Sequence, residues 1–158
     1  MREFCITTGG ATVSGTTTLV FVRAAAAPAV NIEFLRYWIG QSANATSAQQ
    51  RVQLALNSGT VTGTAYTPSK IKETDAVSSI TGSTTPAAGN TTINATVETT
   101  RTVVHEDAFN VLNGWLYVAT PPETRIQPAG ATSGFTLYLP VAPSTLTNWT
   151  WGLNYREV

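Results

Sequence analysis

The sequence predicts an all-β chain folded as a single-domain β-sandwich, jelly-roll-like, with eight to nine short strands. Three observations carry this expectation. Charged residues make up 11% of the 158, against about a quarter in an average soluble protein, and 28 threonines take over the polar role. Threonine is β-branched and polar, so it suits the solvent side of a strand, where its restricted rotamers cost least. The second observation is period-two alternation of apolar and polar residues in several segments, the mark of a half-buried strand. The third is that Gly, Pro and Asn turns separate these segments, with no linker, internal repeat or shift in composition. The whole of 1–158 therefore reads as one domain. At 42% apolar residues a core is available, and a chain of this length buries roughly 68–70% of the surface its unfolded form would expose.

In chain order, residues 4–8 are a short candidate strand and 1–15 a possible terminal arm. Residues 16–23 are apolar on both faces, as expected of a strand between two layers or at an interface. Residues 31–39 are rich in aromatic and β-branched side chains and read as a strand, although Ile32, Leu35, Arg36 and Ile39 also fit a helical stripe. Ser47 to Gln50 has the outline of a capping box. Val52, Leu54 and Leu56 nevertheless alternate with Gln53 and Ala55, which favours a strand after a loop over 41–50.

Residues 58–90 lack a clear period and hold the local charge cluster Lys70, Lys72, Glu73 and Asp75. Structureless loops beyond about 12–15 residues are uncommon unless functional. This long loop or insertion either hides short strands near 59–66 and 76–81 or projects toward a partner. Ile93, Ala95 and Val97 then share one face of a strand, and Thr92, Asn94, Thr96 and Glu98 the other. Residues 101–106 are a shorter candidate, and 115–119 are apolar on both faces. Phe135, Leu137 and Leu139 alternate with Thr136 and Tyr138 until Pro140 stops the run. Trp149, Trp151, Leu153 and Tyr155 alternate with Thr150, Gly152, Asn154 and Arg156.

Composition also excludes functions. Nine basic and nine acidic residues cancel, and no Lys/Arg cluster offers the counterion release on which nucleic-acid affinity rests, so no nucleic acid is expected as a partner. Cys5 is the only cysteine and His105 the only histidine. A disulfide within the chain is thereby ruled out, and one copy cannot assemble a zinc site of Cys/His ligands. The apolar run over 19–30 is broken by Arg23 and Pro28 and is too short to span a bilayer. The first ten residues carry Arg2 and Glu3 and lack the pattern of a secretory signal, so no membrane is expected either. Asn-x-Ser/Thr matches at Asn44, Asn90, Asn94 and Asn148 are what chance produces in a Thr-rich chain.

Catalysis needs a nucleophile with a base, paired carboxylates, or metal ligands at a usable spacing. His105, Glu106 and Asp107 are the one titratable cluster able to do acid/base work, and they read as a polar corner or a subunit contact. Ser14 and Ser133 precede glycines, but Thr12 and Ala131 stand where a nucleophile elbow needs its first glycine. There is no phosphate-cradling loop. No enzyme, catalytic residue, cofactor or metal is expected.

Aromatic residues make the case for binding. Trp149, Trp151 and Tyr155 on one strand, with Trp115 and Tyr117 on another, could form a platform that stacks on sugar rings. The competing reading is sandwich core or subunit interface, where large aromatics dominate energetics. Low charge with two-sided apolar strands suits a subunit covered by copies of itself, because obligate interfaces are poor in charge and cyclic symmetry closes them.

A resemblance adds to this. Gln41 and Ser42 are followed by Thr46-Ser47-Ala48-Gln49-Gln50-Arg51-Val52-Gln53, and Asn110-Val111-Leu112-Asn113-Gly114-Trp115 leads into Ala119-Thr120-Pro121-Pro122-Glu123. With these runs, and with Leu137 to Pro140 and Asn148-Trp149-Thr150-Trp151-Gly152, the chain resembles small virion proteins of tailed bacteriophages from about residue 30 to its end. The resemblance implies a capsid decoration (cement) protein, made in the host cytoplasm. Such a protein is a jelly-roll subunit, most often a homotrimer, that sits outside an assembled shell and clamps neighbouring copies of the major capsid protein. It brings no active-site motif. The expected shell contact is at Lys70, Lys72, Glu73 and Asp75 or at the N-terminal segment. The alternative is a carbohydrate- or receptor-binding sandwich of the lectin or fibre-tip kind.

Overall fold

A computed structural model describes residues 1–13, 17–43, 47–98 and 100–158, the side chains of 17 and 96–98 excepted. Among the described residues, thirteen strands follow in order: β1 (Arg2–Ala11), β2 (Thr17–Val22), β3 (Ile32–Gln41), β4 (Gln49–Asn57), β5 (Val61–Ala65), β6 (Ser69–Lys70), β7 (Thr81–Gly82), β8 (Asn90–Glu98), β9 (Arg101–Asn110), β10 (Trp115–Val118), β11 (Arg125–Gln127), β12 (Gly134–Leu139) and β13 (Trp149–Glu157). A 3-10 turn, Pro121–Glu123, separates β10 from β11.

The strands form two packed sheets. One runs β10-β3-β13-β1-β6, with β11 beside β10 on the same edge of β3. The other runs β5-β8-β2-β12-β4-β9, with β7 parallel to β8. Eight of these strands, β1 to β4, β9, β10, β12 and β13, reproduce the expected jelly roll, since the chain alternates between the sheets at every step but β4 to β9. The other five are additions. β5 to β8 come from the 58–90 stretch and its continuation, which therefore hides strands: β8 and β5 widen one sheet beyond β2, and β6 extends the other beyond β1.

Alternation places the core. Trp149, Trp151, Leu153 and Tyr155 all point from β13 into the sandwich and are 0% exposed. There they meet Leu19, Val20 and Val22 of β2, Phe135, Leu137 and Leu139 of β12, and Val52 and Leu54 of β4. The terminal arm expected over 1–15 is instead an inner strand over its described part. β1 pairs antiparallel with β13 from Arg2↔Glu157 to Ala11↔Trp149, and the alternating Phe4 and Ile6 drive it there by burying completely in the core.

Two irregularities explain where period-two reading fails. On β3, Leu35 is the extra residue of a bulge, because Asn154↔Arg36 is followed by Tyr155↔Phe34. Ile32 and Phe34 therefore face the core in one phase and Tyr37 and Ile39 in the next, which mimics a helical stripe. On β8, Asn94 adopts a positive φ of 51°. Ile93 consequently packs in the main core while Ala95 packs with Phe21 and Val61 in a separate small cluster, so the face expected to be shared is split between these two, and the Val97 side chain lies outside those described. Phe21 is the outward residue of the two-sided β2, and Gly134 leaves the space its ring fills.

Candidate functional site

Of the residues singled out for binding, Trp149, Trp151 and Tyr155 are removed from any surface. All three are 0% exposed, and their polar atoms are spent inside: the Trp149 Nε1 donates to the Thr145 carbonyl (2.7 Å), the Trp151 Nε1 to the Leu19 carbonyl (3.0 Å), and the Tyr155 hydroxyl pairs with Ser78 Oγ (2.7 Å). A sugar platform on β13 is thus replaced by core, and burial pushes the Tyr155 phenol far above its usual range.

Trp115 and Tyr117 are half-buried and do meet partners, but not those three. They project from β10 toward β9, across the open side of the sandwich, and stack with His105. The Tyr117 ring lies 4.8 Å from His105 and 6.0 Å from Trp115. Asp107, two residues beyond His105 on the same strand face, accepts a 2.9 Å hydrogen bond from Trp115 Nε1 and a 2.7 Å bond from the Ala108 N–H. The indole bond first, and the backbone bond second, hold the Asp107 carboxyl below the usual range. Glu106 points to the other face and is lowered too, by Arg51 and then Gln53, which both donate to it. The acid/base cluster is therefore split between two faces, with each carboxylate already occupied.

The aromatic row continues inward. Tyr117 lies 6.2 Å from Tyr37, which in turn lies 5.6 Å from Phe135 and 6.0 Å from Phe34. The gathering of His105 with Trp115 and Tyr117 was not legible beforehand, because β9 and β10 belong to different sheets.

The charge cluster forms a corner at the opposite edge. Lys70 pairs with Phe4 in the β6–β1 ladder, its Nζ donates to the Glu73 carbonyl (2.9 Å), and the Asp75 N–H donates to the Lys72 carbonyl (3.1 Å). Lys70, Lys72 and Glu73 are exposed and Asp75 half-buried. The N-terminal segment reaches the same corner: the Ile71 N–H donates to the Glu3 carbonyl and Arg2 donates to the Val77 carbonyl. The two alternative contact regions thus form one surface, flanked by the exposed apolar Met1, Ile71 and Val77.

This corner is anchored from beneath. The Glu157 carboxylate, 2% exposed, accepts from Ser78 Oγ (2.8 Å), the Ser79 N–H (2.8 Å), Ser79 Oγ (3.3 Å) and Arg2 (2.5 Å). Nothing in the sequence pattern marked Glu157, whose position on β13 reads as an ordinary strand end.

A third surface lies on the outer face of the β10-β3-β13-β1-β6 sheet. Leu116 and Val118 of β10 and Ile126 of β11 are 62%, 57% and 61% exposed, beside the half-buried Trp38. Among the described residues, no group of three or more His, Cys, Asp or Glu could hold a metal, and no helix is long and apolar enough to cross a membrane. Ser14, Asn44 and Thr46 lie outside the described residues. Against known proteins, no family model, curated protein or solved structure matches the chain.

Proposed function

We propose that the chain is a non-enzymatic structural subunit of a virion, which decorates the outside of a bacteriophage capsid and stabilises the assembled shell. The observation that carries the reading is the exposed apolar strip of Leu116, Val118 and Ile126 on one sheet face. A row of large apolar side chains on adjoining strands of a low-charge protein is what a self-associating surface needs. Copies packed on this strip form the homo-oligomer, most simply a trimer, and leave the Met1, Ile71, Lys72 and Val77 corner free to meet the shell.

Mass action supplies the mechanism. A ligand that binds only the assembled lattice stabilises it by RT ln(1 + [L]/Kd), about 4 kcal/mol at a thousandfold excess over Kd. Trimeric presentation adds avidity, since one docked subunit holds the others at high effective concentration.

The test combines light scattering behind size exclusion with co-sedimentation on purified empty shells from the particle that carries the chain. A trimer that saturates shells at a symmetry-defined stoichiometry, and a Leu116→Asp variant that runs as a folded monomer and binds them far more weakly, are expected. A wild-type monomer that leaves shells in the supernatant overturns the reading.

Trp115 and Tyr117, with His105 and Asp107 beside them, favour a second reading as a glycan- or receptor-binding module. That reading expects glycan-array signals lost on Trp115→Ala, and binding to cells rather than to shells.

A further inference from the structure

We propose that the cleft between β11 and the β4–β9 edge is a binding site for a small amphipathic carboxylate, an acid with an aromatic or aliphatic body. The cleft encloses about 670 Å³, within the range of clefts that hold drug-sized ligands. Its apolar wall is made by Phe34 and Phe135, whose rings stack with centroids 4.3 Å apart, together with Leu56 and Val104. The 128–133 segment closes the far side.

One charged group lines this space. The Arg125 residue is exposed, and its guanidinium makes no side-chain hydrogen bond or ion pair among the described residues. The acids near it in sequence or across its sheet are engaged elsewhere: Glu123 accepts from the Thr120 hydroxyl, and Glu33 pairs with Arg156. Every other cleft residue is uncharged, so the cleft carries one unneutralised cation beside an apolar wall. A guanidinium is a planar fork that matches a carboxylate with two parallel bonds. The body of the ligand would replace water on the half-buried Leu56 and Val104, which gives an acid with an apolar tail an advantage over a bare inorganic anion.

A second feature lies beside the wall. The Tyr37 ring packs on both Phe34 and Phe135, and its hydroxyl is buried without any partner. Buried hydroxyls are nearly always bonded, so an orphan one marks a place where a polar partner is missing.

Isothermal titration of the whole protein with phenylbutyrate, its neutral amide phenylbutyramide, and inorganic phosphate tests the proposal, with backbone-amide NMR to locate the response. Saturable binding of phenylbutyrate at one per chain is expected, with shifts confined to residues 124–135 and to the cleft wall at Phe34, Leu56 and Val104. Because a hydrogen bond to a charged group is worth about a tenfold or larger change in affinity, the amide should bind at least about tenfold more weakly, and Arg125→Gln should lose the same factor. Arg125 is exposed, so its replacement leaves the fold intact, and Arg125→Lys should recover part of the affinity. Absence of saturable binding at millimolar phenylbutyrate overturns the proposal. So does equal affinity for acid and amide, affinity for phosphate matching that for phenylbutyrate, an unchanged Arg125→Gln variant, or shifts that map outside the cleft.

Discussion

Replacing Glu157 by alanine should destabilise the fold by about 3 kcal/mol. The figure follows from what the carboxylate holds. Removing one partner of a buried ion pair costs about 3–5 kcal/mol when the orphaned charge stays buried. Arg2 keeps 32% of its side chain exposed, so water recovers part of its solvation and the cost falls to the low end. Ser78 retains the Tyr155 hydroxyl, whereas the Ser79 N–H loses its acceptor, and an unsatisfied donor costs about 1–3 kcal/mol. At about 2–4 °C per kcal/mol for a domain of this size, the melting temperature should fall by about 6–12 °C. Glu157→Gln keeps the shape and one acceptor oxygen, so its loss should be about half as large. Differential scanning calorimetry at neutral pH measures both, and hydrogen exchange should show the amides of residues 77–80 opening first. An alanine variant that melts within about 2 °C of the wild type, less than 1 kcal/mol on the same scale, would show that the network contributes nothing net. If the corner above it contacts a shell, the same variant should also release shells more readily.

Three further outcomes follow from the geometry. Tyr37→Phe removes a buried hydroxyl that has no partner, so urea unfolding should find it neutral or more stable by up to about 1 kcal/mol, and a loss above that range would mean the hydroxyl is bonded. Trp115→Phe deletes the indole donor to Asp107, so an NMR titration should show the Asp107 midpoint moving up toward the ordinary value of about 3.9. The sign is that of a depressed carboxyl: in the wild type its stabilising effect is complete above the unfolded value and disappears as pH falls through the lower folded one, and the variant, which keeps the Ala108 N–H bond, should show a smaller low-pH step. Gly152→Ala places a Cβ 2.5 Å from the Ile6 carbonyl oxygen and against the Trp38 ring, which should cost about 1–3 kcal/mol, while Gly40→Ala, with open space around it, should melt close to wild type.

Much of the fold was legible because its strands bury one face at a time. Trp149 to Tyr155 and Phe135 to Leu139 alternate without interruption, and both strands lie where that pattern places them. The inward sense of the β13 aromatics was legible too. Whether their inward face met a second sheet or a ligand was not, because alternation marks a face and leaves its cover unspecified. β3 was ambiguous for a local reason, the bulge at Leu35, and β8 misled because a positive φ at Asn94 switches faces mid-strand. β6 and β7 are two residues each, too short to carry any period. The charge cluster at Lys70 to Asp75 stood out in the sequence, but its meeting with Met1 and Arg2, the anchoring by Glu157 and the stacking of His105 on Tyr117 depend on chain crossings that no local pattern encodes.

The place of β13 between β1 and β3 has a consequence for how the protein is made. β1 leaves the ribosome long before β13, its main ladder partner, so Phe4 and Ile6 stay uncovered until β13 emerges. Their sheet is joined only when residues 149–157 have cleared the exit tunnel. Closure of the sandwich therefore waits for β13, and the nascent chain depends on holdases or on speed until then. A ribosome that stops before Trp149 leaves no smaller sandwich behind, because β13 brings the centre of one sheet and four fully buried core side chains together.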